Sequence, residues 1–181
     1  AEMARSGFAA PVTTSVGRLF DAVAALAGIC LRVSYEGQAA IELEALAGGE
    51  ETVGYPLAVI ESSDGGMLRL DARETVLAVA RDVAAGATSA AVSARFHAAL
   101  ASATALACEH LAARGGTGTI VLSGGVFQNQ TLLRQTSRRL ERAGLRVLTP
   151  ERLPPNDGGV AYGQAVVAAV SAALPVGGVE A

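Results

Sequence analysis

Lysine is missing altogether: the chain's 14 basic residues are all arginine, scattered against a formal net charge of −3. No basic patch forms, so there is no electrostatic footprint for a polyanionic partner, and nucleic-acid binding is not expected. Aromatic residues are equally scarce, at 4% with no tryptophan. Alanine, valine and leucine carry the hydrophobicity instead, which argues against a β-sandwich built on large inward rings and for helices packed on a sheet. Cys30 and Cys108 are the only cysteines. They lie far apart with no close companion at metal-ligand spacing, so neither a disulfide framework nor a structural zinc site is expected, and a reducing compartment fits. The longest small-apolar stretch, Ala165 to Leu174, is too short to span a bilayer, and the N-terminus lacks a basic-then-apolar signal pattern. A soluble, cytoplasmic protein with no membrane partner is the expectation.

What is present is enough for one domain, or for one lobe of a larger protein, in 181 residues. Val16, Leu19, Phe20, Val23 and Leu26 recur at the helical period between Thr13 and Gly28, with Thr13 or Thr14 available as a cap. A second helix is predicted from about Gln38 to Ala47. Tyr55 to Ile60 and Met67 to Leu70 read as strands joined across Ser62 to Gly66, an edge hairpin. Arg73 to Ala85 and Ser89 to Ala113 read as helices, with Gly115, Gly116 and Gly118 as the break. Then come a buried-type strand at Thr119 to Leu122, a tight turn at Ser123 to Gly125, a helix from Phe127 to Ala143, a strand at Leu145 to Leu148 and a last helix from Asn156 to Ala173. This rhythm predicts an α/β unit with a parallel strand pair, whose ligand site lies at the carboxyl ends of the strands. Residues 1–174 form one lobe in this reading, and 175–181 a flexible tail.

Several constellations could carry chemistry. The turn Ser123-Gly124-Gly125 joins strand to helix, where backbone N–H groups and the helix's positive end suit a phosphate; plain chain reversal explains the same residues equally well. Asn129, one turn into the expected helix, either points its amide at the same ligand or bonds only to water. Asp157, in Asn156-Asp157-Gly158-Gly159, is either the cap of the last helix or a carboxylate held at the strand ends; the glycines after it are easier to explain if a ligand or another backbone comes close. On the first helix Gly17, Asp21, Ala24 and Gly28 fall on one stripe, so that Asp21 suits a ribose, or is merely solvated, with Arg18 beside it. Gly37 and Gln38 before the second helix fit a ligand loop or an ordinary cap. His97 and His110 are too far apart on one helix to share a metal and are read as structural.

Taken together, Thr13-Thr14-Ser15-Val16-Gly17-Arg18-Leu19-Phe20-Asp21-Ala22, Val33-Ser34-Tyr35-Glu36-Gly37-Gln38-Ala39-Ala40 and Ala94-Arg95-Phe96-His97 resemble one family, and so do Ser123-Gly124-Gly125-Val126-Phe127-Gln128-Asn129 and Pro154-Pro155-Asn156-Asp157-Gly158-Gly159. It is the family of carbamoyltransferase maturation factors of nickel–iron hydrogenases (HypF), at the end of the Kae1-like domain. The resemblance implies the second lobe of an actin/sugar-kinase/Hsp70-like (ASKHA) fold, helix-rich with a short, mostly parallel sheet. It further implies that Asp21 holds a ribose, that Gly17, Gly37 and Gln38 border the nucleoside, that Gly124, Gly125 and Asn129 meet the phosphates, and that Asp157 ligates a metal. The implied ligands are ATP, carbamoyl-adenylate, Mg2+ and a zinc or iron ion shared with histidines of a preceding lobe. The implied partners are that lobe, further upstream domains and a maturation protein with a C-terminal cysteine that receives the carbamoyl group.

The family's His-x-x-x-His motif and its acylphosphatase-like, zinc-finger and adenylate-forming domains do not occur in these residues, so the chain is expected to be a piece of a larger protein. The family's Thr-Ser-Ser reads Thr13-Thr14-Ser15 here. Alternatives are a lobe of a tRNA threonylcarbamoyl transferase or an O-carbamoyltransferase, and a stand-alone nucleotide-binding module. The surface around Gly17, Asp21 and Gly124 distinguishes such a module from a severed lobe, which would leave an apolar patch there to seek a partner, including a second copy as a homodimer.

Overall fold

The computed structural model describes residues 5–8, 12–48, 52–62 and 66–173. The predicted tail, Pro175 to Ala181, and the middle of the hairpin turn, Ser63 to Gly65, lie outside the described residues. The elements run α1 (Val16–Leu26), α2 (Gln38–Ala45), β1 (Ala58–Glu61), β2 (Leu68–Asp71), α3 (Arg73–Ala84), α4 (Ser89–Gly115), β3 (Thr119–Val121), α5 (Gln130–Arg142), β4 (Arg146–Leu148) and α6 (Val160–Ala173). Short 3-10 turns at Gly125–Gln128 and Asp157–Gly159 precede α5 and α6.

The axis of the fold is α4, 27 residues long, capped by Thr88, whose hydroxyl accepts from the Ala91 N–H. Its buried residues include Val92, Phe96, Leu100 and a run of alanines pointing in several directions, as expected of a helix covered on more than one side. α2, α3, α5, both hairpin strands and β3 all contact it. Alanine in these positions lets neighbouring backbones come close. Near its N-terminal half Phe20, Val23, Leu43, Tyr55, Val79 and Leu132 join it in the main core; near its C-terminal half Ala105 packs with Leu122 and Leu140 in a smaller one. Each large side chain buried this fully contributes roughly 1.5–3 kcal/mol relative to exposure.

The first helix starts one or two residues later than expected, because Ser15, not Thr13 or Thr14, supplies the capping oxygen for the Arg18 N–H. Ala24 does not lie on a surface stripe with Asp21: it is fully buried in the main core. The hairpin β1–β2 is antiparallel, pairing Ala58 with Asp71 and Glu61 with Leu68, and among the described residues it is a sheet of its own. β3 and β4 form the predicted parallel pair, Thr119 opposite Arg146 and Val121 opposite Leu148, with α5 as the crossover between them.

The segment leading into the hairpin is clamped onto α3 and α4. The Tyr55 hydroxyl donates to Asp82 at 2.8 Å, and Arg95 pairs with the same carboxylate at 2.5 Å. Burial, and then the neighbouring Asp82, push the Tyr55 hydroxyl up to about 12. The tightest approach is beside it: a Cβ on Gly54 would stand 2.4 Å from the backbone nitrogen of Ala99. The Cβ is fixed to its own backbone and the atoms it would strike are backbone too, so nothing flexible can yield. Gly54→Ala is therefore expected to cost about 2 kcal/mol of stability, as overpacking does; a urea midpoint equal to that of the unaltered protein would refute this contact.

Candidate functional site

At the carboxyl ends of β3 and β4 two glycine-bearing loops meet. Gly124 follows β3 with φ 98°, a conformation that a side chain would strain, and nothing lies within 4 Å of where its Cβ would be. A Cβ on the next residue, Gly125, would sit 3.8 Å from the Cβ of Asn156, so the turn after β3 faces the Asn156–Asp157 loop after β4. A half-open hollow of about 310 Å3 is bordered by Phe127, Gln130, Thr149 and Pro155, residues that follow β3 and β4 in the chain. Gly125 opens a 3-10 turn in which Phe127 donates to the Gly124 carbonyl at 3.0 Å. The first N–H groups of such a turn have no acceptor within it.

α5 begins later than the sequence suggested, at Gln130 rather than Phe127, because Asn129 is its cap and not a residue one turn inside. The Asn129 Oδ1 accepts from the Leu132 N–H at 2.8 Å, and the Thr131 N–H donates to Glu44 Oε1 at 3.0 Å. A carboxylate from α2 thus already occupies the positive end of α5, and the expectation that this helix end lies open to a phosphate is corrected. What remains open is the 3-10 turn ahead of it.

Asn129 is buried, and its amide is engaged on both sides: Nδ2 lies 2.9 Å from His97 Nε2. His97, fully buried, sits 2.9 Å through Nδ1 from the Ser93 carbonyl. One tautomer satisfies everything, with Nδ1–H donating to Ser93 and Nε2 accepting from Asn129. The Ser93 hydroxyl donates in turn to the Leu43 carbonyl. Burial holds His97 below its usual range, outweighing the Ser93 hydrogen bond and the Glu44 charge that pull the other way. His97 is structural, as read from the sequence, but its partner Asn129 was not foreseen. The i, i+4 spacing of Ser93 and His97 was the available signal.

The first-helix residues approach this centre through an aromatic contact. Phe20 stands edge-on to Phe96, with centroids 4.9 Å apart, and edge-on to His97 at 5.4 Å. Asp21, the next residue, is half-buried at the surface and pairs with Arg18 at 3.4 Å. Gly17 is exposed one turn earlier. Gly37 caps α2 with φ 81°, and Gln38 stitches the preceding loop, its Oε1 accepting from the Ser34 N–H at 2.7 Å and its Nε2 donating to Glu42 at 2.8 Å. The side chains of Gln38 and Asn129 are therefore both committed within the protein.

Asn156, not Asp157, caps the last turn, its Oδ1 accepting from the Gly158 N–H at 3.2 Å. The glycines that follow have a packing reason, since a Cβ on Gly159 would lie 2.8 Å from the Pro154 carbonyl oxygen. Asp157 is exposed, and among the described residues no group of three or more His, Cys, Asp or Glu could hold a metal ion. One carboxylate does not make a metal site, so the residues described do not by themselves fit the implied zinc, iron or magnesium.

A family model described as the second subdomain of a carbamoyltransferase Kae1-like domain matches residues 1–164. The chain is 39% identical over 179 residues to carbamoyltransferase HypF2 of Cupriavidus necator, covering 88% of this chain and 22% of that protein. It is 41% identical over 169 residues to carbamoyltransferase HypF of Rhodobacter capsulatus, covering 93% of this chain and 21% of that protein. The crystal structure of full-length HypF in its phosphate- and nucleotide-bound form is similar with a TM-score of 0.78 at 37% identity, over 85% of this chain and 20% of that one. The chain thus spans about a fifth of the length of these relatives.

Because His97 is held neutral in the fold, the unfolded chain takes up a proton that the folded one refuses as the pH drops below about 6.5. Stability is present in full above that value and is lost on acidification through it, with a slope of at most about 1.4 kcal/mol per pH unit for one proton. Urea denaturation from about pH 7.5 to about pH 5 should show this loss, and His97→Gln should flatten it. An unchanged slope in His97→Gln would mean that another group carries it.

Proposed function

The chain belongs to the HypF carbamoyltransferase family, as the second subdomain of its Kae1-like domain, and from that premise we propose that it is the nucleotide-holding lobe of a carbamoyltransferase. The observation that carries the reading is the meeting of the Gly124–Gly125 turn with the Asn156–Asp157 loop at the ends of two parallel strands. That is where open α/β units take phosphorylated ligands. In this proposal the unengaged N–H groups of the 3-10 turn meet the phosphates of ATP or carbamoyl-adenylate. Asp21, freed from Arg18, accepts from the ribose hydroxyls, and the Gly37 loop borders the nucleoside. Asn129 and Gln38 shape these loops and do not touch the ligand through their side chains.

The reaction proposed for the whole protein is transfer of the carbamoyl group to the C-terminal cysteine of a hydrogenase maturation partner. The thiolate attacks the carbamoyl carbon and AMP departs. The lobe contributes orientation: nucleotide bound at the phosphate and ribose leaves the carbamoyl end facing the thiolate. Cys30 and Cys108 are both unpaired, in keeping with a reducing compartment, and no helix among the described residues is long and apolar enough to cross a membrane.

The remaining surface supports a lobe that is covered in its working state. α6, Val-Ala-Tyr-Gly-Gln-Ala-Val-Val-Ala-Ala-Val-Ser-Ala-Ala, is apolar all round, yet every residue from Val160 to Ala172 is exposed, as is Val121 on β3. A helix of that composition is normally buried. We assign its cover to the preceding lobe of the same protein, which would leave the homodimer as a property of a severed fragment.

Two measurements on the full-length protein test this reading. In calorimetric titration with ATP and magnesium, Asp21→Ala should weaken binding about tenfold. Gly125→Ala, whose new methyl meets only ordinary contact distance, should leave stability within about 0.5 kcal/mol while also weakening ATP; wild-type affinity in both variants would remove the nucleotide from this site. Separately, Val167→Glu should lower the melting temperature although Val167 is 65% exposed in this lobe. An unaltered melting temperature would show that no lobe covers α6.

A further inference from the structure

We propose that His97 is a positioning residue for the phosphate end of the nucleotide site: by accepting the Asn129 amide N–H at Nε2, it fixes which way that amide faces and thereby holds the Gly124–Gln128 turn against the start of α5. The inference rests on the nucleotide reading above and extends it to a residue with no path to the ligand of its own.

Every asparagine amide carries an ambiguity. It presents an acceptor on one side and a donor on the other, and the two faces have nearly the same shape. At Asn129 only one orientation works, because Oδ1 must receive the Leu132 N–H. Reversed, the amide would set its own N–H groups against that donor. His97 removes the choice. Its Nδ1–H is committed to the Ser93 carbonyl at 2.9 Å, so Nε2 can only accept, and the group 2.9 Å away from it must be the amide nitrogen.

Asn129 is also the joint between the two helical segments. Its backbone N–H donates to the Val126 carbonyl at 3.2 Å, closing the 3-10 turn, and its carbonyl accepts from Leu133 at 3.0 Å, opening α5. Val126 and Phe127, inside the turn, rest on the same apolar cluster that holds Phe20 and Phe96. The turn is therefore fixed from below by packing and at its end by one amide. Without an acceptor at position 97, the Asn129 NH2 group is left buried and unpaired, and its simplest relief is to swing outward and take the turn with it. Gly124, with open space around its Cβ position, offers that movement little resistance.

The test compares ATP with adenosine, since a residue that positions the phosphate turn affects the first and not the second. In the full-length protein, His97→Leu is expected to weaken ATP binding about tenfold and to leave adenosine binding, measured by competition, unchanged. His97→Gln, which keeps an acceptor toward Asn129 and a donor toward Ser93, is expected to restore most of the ATP affinity. Asn129→Ala should weaken ATP to the same degree, and the double variant His97→Leu with Asn129→Ala no further, because the two act as one unit. Equal losses for ATP and adenosine, additive effects in the double variant, or failure of His97→Gln to restore binding would each overturn the assignment. Wild-type protein that binds no ATP would sink the nucleotide reading itself, whereas wild-type binding with an unaffected His97→Leu variant would sink this inference alone.

Discussion

A buried histidine that has to stay neutral holds a buried asparagine amide 2.9 Å away, and the pair decides where α5 begins. Much else follows from that boundary. α5 starts at Gln130 because the Asn129 side chain, fixed in one sense, satisfies the Leu132 N–H. The four residues before it are then left to a 3-10 turn, which carries the glycines after β3 to the outside of the fold. The contact is held on three sides: Phe20 from α1, Phe96 on α4 itself, and Glu44 from α2 reaching the Thr131 N–H. Burial strengthens each of these hydrogen bonds and raises the cost of losing any one, so the site's geometry is more sharply specified than a loop on a surface would be.

Around this centre the alanines of α4 serve one purpose. A 27-residue helix that must touch α2, α3, α5 and three strands needs small side chains on most of its circumference, so that its neighbours can lie close enough to share a core. The same economy explains why Gly54 must be glycine at its crossing with Ala98 and Ala99. The Arg95-Phe96-His97 triplet divides its tasks by direction. Arg95 points outward to Asp82 and fixes the hairpin's lead-in, Phe96 fills the core, and His97 faces Asn129. A sequence segment that looks like one motif is thus three unrelated contacts on successive faces of a helix.

Periodicity and turn chemistry made most of the elements legible in advance. The apolar spacing of α1, the turn composition of the hairpin and the strand–glycine–helix rhythm after Gly118 each depend on neighbours in the sequence, and each element formed within a few residues of its expected bounds. What was not legible depends on side chains distant in sequence. The cap of α1 was expected at Thr13 or Thr14 and falls to Ser15, whose oxygen is the one that reaches the Arg18 N–H. Asn129 could be placed near the glycine turn, but the residue that orients it lies 32 positions earlier. Nor did anything in the local pattern mark Glu44 as the side chain that closes α5. Asp157 and Asn156 compete for one cap, and in sequence they are indistinguishable in that role; the structure gives it to Asn156 and leaves Asp157 exposed.

The capping of α5 bears on how a polyanion could be accommodated. A helix N-terminus carries roughly half a positive charge, and a carboxylate placed on it cancels that attraction. With Glu44 there, a phosphate arriving at the Gly124–Gly125 turn meets short-range hydrogen-bond donors but little attraction from the end of α5. Such a surface discriminates by shape and hydrogen bonding more than by charge, and it suits a ligand whose remaining charge is neutralised elsewhere. An apolar α6 that is exposed from Val160 to Ala172 points the same way. Both features are costly for a lobe working alone and sensible for one that closes against another body. In the function proposed above, the lobe supplies an uncharged turn, and closure against the preceding lobe supplies the field.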